Sequence, residues 1–420
     1  MDMKKIYLCI DLKCFFASVE CVERKYDPFK KNLVVADPSR GKGALCLAIS
    51  PKMKAAGIKN RCRLFEIPQG IQYEIAVPRM KLYMQYSEFI YSIYLKYLSK
   101  DDIHVYSIDE AFLDVTPYLK LYQMSAKELA LKILDDIYQS TNGITATVGI
   151  GTNLYLAKIA MDMIAKKSSD HIGFLNENLY QKYLWKYKKM TDFWHIGHGI
   201  ANRLAKHHLY CMADVAHCPE DILYKEFGIN AEYLIDHAWG REPTTIADIK
   251  RYQPQSQSLS HSQILFEDYQ YEDALLVVKE MVEVKVLDLV AQHLVTDHIS
   301  LSVGYSQDII PPTGGSRKIS IRTNSNHLLI KEFVALYHQT TRYYPIRKIA
   351  ISFGHIMDEY YESFDLFSDY DALQKEKNIQ RAIIEIKERY GKNAVLKGMN
   401  FFEKATTRKR NTLIGGHNAE

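Results

Sequence analysis

The sequence predicts a multidomain α+β protein, and three observations predict it. Strand-like and helix-like periodicities alternate from residue 4 to about residue 170. Residues 171–245 carry helical spacing throughout. After a polar stretch, residues 257–360 hold segments in the order β-α-β-β-α-β. The 420 residues suit this count, at roughly 100–200 residues per domain.

Taken in order, Ile6, Leu8 and Ile10 alternate as in a strand, and Phe15, Val19 and Val22 recur at helical spacing. Residues 32–77 read as short strands around the loop Asp37-Pro38-Ser39-Arg40-Gly41-Lys42-Gly43. Residues 79–98 place Tyr83, Tyr86, Ile90, Ile93 and Tyr94 on one side of a helix. Residues 103–116 are rich in β-branched and aromatic side chains and read as strands. A helix over 125–139, a strand over 144–150 and a helix over 153–165 complete a mixed α/β domain with 32–77 inserted. Within 171–245, Ile196-Gly197-His198-Gly199-Ile200 reads as a turn between short helices. Such a turn either faces a phosphate with its backbone N–H groups or merely connects helices. Residues 246–256, ending in Gln253-Pro254-Gln255-Ser256, read as a linker. The last domain is expected as strand 259–266, helix 271–294, strands 298–306 and 317–323, helix 326–339 and strand 345–353. Its strands carry Arg317, Lys318, Arg322, Arg347 and Lys348, which suit a phosphate backbone.

Composition excludes several classes. Apolar residues make up 47% and charged residues 25%, which does not fit a collagen-like, mostly disordered or disulfide-scaffold chain. No run of about 20 apolar residues predicts a membrane span. Asp11 and Lys13 interrupt the N-terminal apolar run too early for a signal-peptide core. The seven cysteines are odd in number and form no C-x-x-C pair, so reduced thiols in the cytoplasm are expected. The net charge of +4 is uneven: residues 375–420 hold eleven Lys and Arg against five Asp and Glu. A basic tail of this kind suits a polyanionic partner or a solvated helix face.

Three carboxylates stand out as candidate chemistry. Asp11 ends an apolar strand, and Asp109 and Glu110 lie in Ser107-Ile108-Asp109-Glu110-Ala111-Phe112-Leu113-Asp114. Adjacent residues of a straight strand point to opposite faces, so Asp109 and Glu110 serve one site only at a bend. Clustered carboxylates repel unless a cation joins them, and hard oxygen ligands favour Mg²⁺. A buried acid pair bonded to amides is the plainer reading of the same residues.

Three segments in register resemble the palm motifs of Y-family translesion DNA polymerases. They are Asp11-Leu12-Lys13-Cys14-Phe15-Phe16-Ala17-Ser18-Val19-Glu20, Ser107 to Asp114, and Gly149-Ile150-Gly151-Thr152-Asn153 with Leu156-Ala157-Lys158-Ile159-Ala160 and Asp162-Met163. The resemblance covers nearly the whole chain. Tyr390-Gly391-Lys392-Asn393-Ala394 and Ile414-Gly415-Gly416-His417 resemble the UmuC-like branch in its Gram-positive form. The resemblance implies a right-hand polymerase with palm (1–30 and 78–170), fingers (31–77), helix-hairpin-helix thumb (171–245) and a β-α-β-β-α-β little finger (257–360). Residues 361–420 are then a clamp-binding peptide and a basic helical tail. The implied activity is DNA-directed DNA synthesis across lesions, in SOS-type damage tolerance and mutagenesis, by two-metal nucleotidyl transfer without proofreading.

The resemblance also implies roles. Asp11, Asp109 and Glu110, with the Leu12 carbonyl, would hold two Mg²⁺. Phe15 and Phe16 would flank the nucleotide, Phe16 as the steric gate against a 2′-hydroxyl and Phe15 packing into the core. Lys54, and Lys166 or Lys167, would meet the triphosphate, an extra residue leaving the two palm lysines undecided. Gly197 and Gly199 of the hairpin and the five basic residues of the little finger would grip primer–template DNA. Phe364, Leu366 and Phe367 of Ser363-Phe364-Asp365-Leu366-Phe367 would bind a sliding clamp. A recombinase filament or SOS accessory proteins are further implied partners, with the protein cytoplasmic and at the nucleoid when engaged. Three departures stand against the family pattern: Lys13 replaces a frequent second acid, Pro51 a fingers Tyr, and Ser363 the usual Gln of the clamp motif. Two other readings compete. One is a catalytically weak DNA-bound scaffold of the same fold that needs accessory proteins; the other is a two-metal nuclease.

Overall fold

The computed structural model describes residues 5–254, 257–366 and 368–420. The chain divides into two compact units, Met1–Tyr252 with Glu420, and Gln253–Ala419.

The first unit is built on a five-stranded sheet. Its strands are β1 (Tyr7–Leu12), and further on β5 (Ile103–Val105), β6 (Glu110–Asp114), β7 (Ala146–Gly151) and β8 (Ile172–Leu175), in the order β5-β6-β1-β7-β8. β1 is the central strand, antiparallel to both neighbours, and β8 runs parallel to β7. Its two faces explain its unbroken apolar run. Leu8, Ile10 and Leu12 pack into the main core beside α1 (Phe15–Glu23), α3 (Met80–Tyr94) and α5 (Ala126–Ser140). Tyr7 and Cys9 pack on the other side with Phe112, Leu154, Ala157 and Met161. The glycines of β7 permit that second layer. A Cβ at Gly149 would lie 2.0 Å from the Ala157 carbonyl oxygen, and one at Gly151 would lie 2.1 Å from the Ala157 nitrogen. The helix they admit, α6 (Leu154–Ile159), is capped by Asn153, whose side chain accepts from the Leu156 N–H.

The inserted segment is a small module with its own core. β2 (Leu33–Val35) pairs antiparallel with β3 (Ala48–Ile49) and parallel with β4 (Glu74–Ala76), over Val34, Cys46, Met53 and Ile67. Helix α2 (Pro51–Ala55) begins at the Ser50 cap. Pro51 sits at the first helical position, where the missing N–H costs nothing.

Two sequence boundaries are corrected. Residues 172–175 are not helical: they form β8, because pairing with β7 satisfies their backbone. The helical segment then runs α7 (Glu177–Leu184), α8 (His198–Lys206), α9 (Met212–His217), α10 (Glu220–Phe227) and α11 (Ala231–Trp239) around a core that includes Tyr180, Leu204, Leu223 and Leu234. The expected linker at 246–256 is a helix over its first half, α12 (Ile246–Arg251). A capping box between Thr245 and Asp248 starts it, and Ile246 is buried against Tyr7 and Phe112. Gln255 and Ser256 lie outside the described residues.

The second unit has the expected topology. β9 (Leu259–Tyr269), α13 (Tyr271–Ala291), β10 (Leu294–Tyr305), β11 (Thr313–Thr323), α14 (Asn326–Thr340) and β12 (Ile346–Gly354) form an antiparallel sheet in the order β11-β10-β12-β9. Ile299, Leu301, Val303, Ile349, Ile351 and Phe353 share a core with residues of both helices. The opposite face is uncovered, and its middle rows are small side chains. The register puts Ser260, Ser352, Ser300 and Ser316 in one cross-sheet row and Ser262, Ala350, Ser302 and Gly314 in the next. Helix α15 (Tyr370–Tyr390) packs on α13 within this unit. Near the C-terminus, Gly415 and Gly416 have φ of 58° and 83°, the pair of positive values that a two-residue hairpin turn between Ile414 and His417 needs.

Candidate active site

The three carboxylates lie at one end of the central strand. Asp11 pairs directly with Glu110 across β1 and β6, and opposed residues of antiparallel strands share a face. Asp109 joins them because the chain bends before β6. The N–H groups of Tyr106 and Ser107 both donate to the Glu110 carbonyl, at 2.9 and 3.0 Å, closing a tight turn around Asp109. The Leu12 N–H donates to the Asp109 carbonyl at 2.9 Å, tying that turn to β1. The Ser107 hydroxyl donates to Asp109 Oδ1 at 2.6 Å. The chain thus bends at Asp109 rather than running straight into β6.

Two lysines bridge the acids. Lys158 Nζ lies 2.7 Å from Glu110 Oε2 and 3.1 Å from Asp162 Oδ2. Lys166 Nζ lies 2.9 Å from Asp11 Oδ2 and 2.7 Å from Asp162 Oδ1. Of the two lysines left open by the sequence, the structure puts Lys166 at the carboxylates. Residues Ala160–Ile164 wind as a π turn, which absorbs one extra residue and turns Lys166 inward. Burial raises the Asp11 carboxyl, with Asp109 adding to it and Lys166 opposing. Burial likewise raises Glu110, against the pull of Lys158. Burial works against the Lys158 charge, but Asp162 and Glu110 outweigh it and hold the ammonium well above the usual lysine range. Cys9 completes the site by donating its thiol to Glu110 Oε1 at 3.2 Å.

Lys158 and Asp162 of the third motif, and Cys9, carry no expected site role in the sequence. Lys158, Asp162 and Lys166 recur every four residues, a spacing that places them on one helical face, and that was the available signal. Among the described residues, no three His, Cys, Asp or Glu side chains form a ready metal-holding group. The donor set nevertheless fits a hard dication. It consists of carboxylate oxygens whose pooled negative charge already draws in two ammonium groups.

The strand-to-helix turn places the aromatic pair. Cys14 takes a left-handed conformation, φ 48°, between β1 and α1. Phe15 is 3% exposed and belongs to the main core, so its side chain is not available to a nucleotide. Phe16 is half-buried, its ring stacked on Tyr83 at 4.6 Å and 18°. Lys13 stands near Lys54 of α2. Burial and the Lys54 charge push the Lys13 ammonium down to about 8. Two cations from separate elements thus converge where no anion offsets them in full. Lys167 closes the short turn Ala165–Lys167 and makes no contact with the acids.

The expected DNA contacts sort by face. Gly197 caps α8 without a side-chain bond, and a Cβ on Gly197 or Gly199 would meet nothing within 4 Å, so the start of α8 is open. Lys318 and Lys348 lie on the uncovered serine-rich face of the second unit, across from His298 and Gly304. Arg322 and Lys318 reach the same buried Asp297, at 3.2 and 3.8 Å. Arg347 sits at a bulge in β12 and pairs with Asp268 at 3.3 Å. The expectation for Arg317 is corrected. It pairs with Ile299 in register, faces the helices and binds Glu332 of α14 at 2.6 Å. In the tail, Phe364 is 45% and Leu366 fully exposed, while Phe367 lies outside the described residues. Ser363 is bonded in both directions to the Arg322 backbone.

The impB/mucB/samB family profile matches residues 10–162, and the profile of that family's C-terminal domain matches residues 256–366. A Bacillus subtilis protein named for UV-damage repair, UvrX, is 30% identical over 99% of this chain and 98% of its own length. DNA polymerase IV 2 of the same organism is 28% identical over 99% of this chain and all of its own. Among solved structures, a chimeric Y-family DNA polymerase built from Dbh and Dpo4 superposes with a TM-score of 0.64 at 22% identity, covering 84% of this chain and 99% of that one. The fold is that of a multidomain Y-family polymerase. The chain belongs to the impB/mucB/samB family, the UmuC-like branch of the Y-family DNA polymerases. Among the described residues, no helix is long and apolar enough to cross a membrane.

Proposed function

We propose that Asp11, Asp109 and Glu110 carry nucleotidyl transfer in the translesion DNA synthesis that this DNA-directed DNA polymerase performs. The observation behind it is the pairing of Asp11 with Glu110 at the β1–β6 end, with Asp109 in the adjoining turn. The carboxylates, with the Leu12 carbonyl, would hold two Mg²⁺. Bound there, they would ease deprotonation of the primer 3′-hydroxyl and offset charge on the phosphates. The chain's own residues do the rest. Lys13, Lys54 and Lys166 draw the triphosphate to the mouth of the site. Phe16 lies under the sugar. Lys158 holds the Glu110 carboxylate in place.

DNA is gripped through its phosphates at the open start of α8 and on the serine-rich face carrying Lys318 and Lys348, where small side chains let a duplex approach closely. The exposed Phe364 and Leu366 suit a peptide that docks in an apolar pocket on a sliding clamp. Primer extension with purified protein, Mg²⁺ and the four deoxynucleotides tests the reading. Asp109→Ala should reduce extension by more than about a hundredfold, beyond the usual loss on removing a group that only supports a metal ligand, while DNA affinity stays near parental. Near-normal extension by that variant removes the assignment. Loss of extension with chelator, restored by Mg²⁺, is expected alongside. A DNA-bound scaffold would show neither effect, and a nuclease would shorten the primer.

A further inference from the structure

We propose that Tyr83 is a positioning residue for sugar selection: its ring backs the Phe16 ring and, pinned by Glu20, denies Phe16 the room to retreat from a 2′-hydroxyl. The inference rests on the reading of Phe16 as the steric gate and adds what makes that gate rigid.

A side chain excludes a hydroxyl only if it cannot yield. A half-buried phenylalanine at the start of a helix has other rotamers open to it unless a neighbour closes them. Here the neighbour is Tyr83 of α3. It is fully buried, and its ring lies nearly parallel to that of Phe16 at a centroid distance of 4.6 Å. Any movement of Phe16 toward α3 meets that ring.

Tyr83 is in turn held at its far end. Its hydroxyl donates to Glu20 Oε1 at 2.7 Å. Glu20 is itself fully buried, a costly place for a carboxylate unless its oxygens are satisfied. They are. Arg79 donates from Nε at 3.0 Å and from Nη2 at 2.7 Å, and Arg24 donates from Nη1. Burial opposes ionisation of Glu20, but bonds from Arg79, Tyr83 and Arg24 outweigh it and hold the carboxyl below its ordinary range. Burial and the Glu20 charge raise the Tyr83 phenol far above its usual value, so it remains a donor.

The network has a plain topology. Phe16, Glu20 and Arg24 stand four residues apart along and just beyond α1. Arg79 and Tyr83 stand four apart at the start of α3. Gate, anchor and clamp thus occupy facing stripes of two helices, and the ion pairs fix the separation at which the rings stack. The carboxylates at Asp11, Asp109 and Glu110 make no use of Glu20, so a buried charge with four donors needs another purpose. Rigidity behind the gate supplies one.

The test is single-nucleotide insertion by the full-length protein, comparing kcat/KM for a deoxynucleotide and its ribonucleotide opposite the same template base. Tyr83→Leu should lower the deoxy-to-ribo ratio about tenfold, the scale of a stacked aromatic pair, chiefly by raising ribonucleotide insertion. Tyr83→Phe keeps the ring and loses the anchor, and should fall between that variant and the parent. Phe16→Ala should lose selection further. The double variant Phe16→Ala with Tyr83→Leu should be no less selective than Phe16→Ala alone, because Tyr83 acts through Phe16. If Phe16→Ala loses selection while Tyr83→Leu keeps the parental ratio, the backing role is overturned and the gate stands. If Phe16→Ala keeps the parental ratio, the gate reading falls and this inference with it. Should Tyr83→Leu not fold, Tyr83→Phe decides, and an unchanged ratio there overturns the proposal.

Discussion

Glu110 and Lys158 form an ion pair of 2.7 Å inside the protein, their side chains 10% and 11% exposed, joining the sheet to the helix that covers it. The pair links the candidate site to the architecture. β7 is cut back to glycine so that α6 can approach, and that approach brings the Lys158 ammonium within reach of a carboxylate on β6.

Lys158→Met should therefore cost both stability and activity. Removing one member of a buried pair leaves an uncompensated charge, at about 3–5 kcal/mol. Urea unfolding of the variant should show a loss on that scale, and primer extension should fall in the protein that remains folded. A change under about 1 kcal/mol, the value of an exposed pair, would show that the pair is solvated.

DNA binding should divide by sheet face. Lys318→Ala and Lys348→Ala should each weaken binding and each reduce the slope of log affinity against log salt by about 0.9, one phosphate contact apiece. Arg317→Ala should leave that slope unchanged and lower stability instead, since Arg317 binds Glu332 on the helix side. Fluorescence anisotropy on a primer–template duplex across a salt series measures both. An equal slope change for Arg317→Ala would place it on the DNA face after all.

Acid should weaken the second unit through Glu359. Burial opposes its ionisation, but bonds from Lys377, Asn324 and His293 outweigh it and lower the carboxyl to about 2. A folded-state value below the unfolded one means the stabilisation is complete above the unfolded pKa, roughly 4.3 for a free glutamate. It is lost as pH falls from there towards about 2. Denaturant midpoints should drop over that window. Glu359→Gln should be less stable at neutral pH and show a shallower drop; an equal drop would assign the effect to other carboxylates.

Tethering should be separable from chemistry. Replacing Phe364 and Leu366 with Ala should leave synthesis on short primers intact, because both side chains are exposed and far along the chain from the acids. Stimulation by a sliding clamp should be lost. Undiminished stimulation would show that another surface binds the clamp.

Much of this protein was legible in its residues. Local periodicity marked β1, α3, α5 and the whole β-α-β-β-α-β unit, since a strand or helix with one buried face must repeat its apolar residues at its own period. The separation of Phe15 from Phe16 followed from helical rotation, and the structure puts the first in the core and the second half out of it. Helix α12 was legible too, in the Thr245–Asp248 capping box, but the polar run after it drew the boundary too early.

What the chain alone could not decide were relations between distant residues. β8 is four residues long, and only its parallel partner β7 makes it a strand. The choice between Lys166 and Lys167 turned on a π turn, a matter of how the helix seats against the sheet. The side of the sheet that Arg317 occupies depended on register through a bulge near Thr296, and each one-residue slip exchanges the two faces. The contact of Tyr83 with Phe16 joins residues 67 positions apart, brought together by the packing of α1 on α3. Periodicity is a property of neighbours along the chain. Which cation meets which acid is settled only when separate elements pack and each buried charge must find a partner.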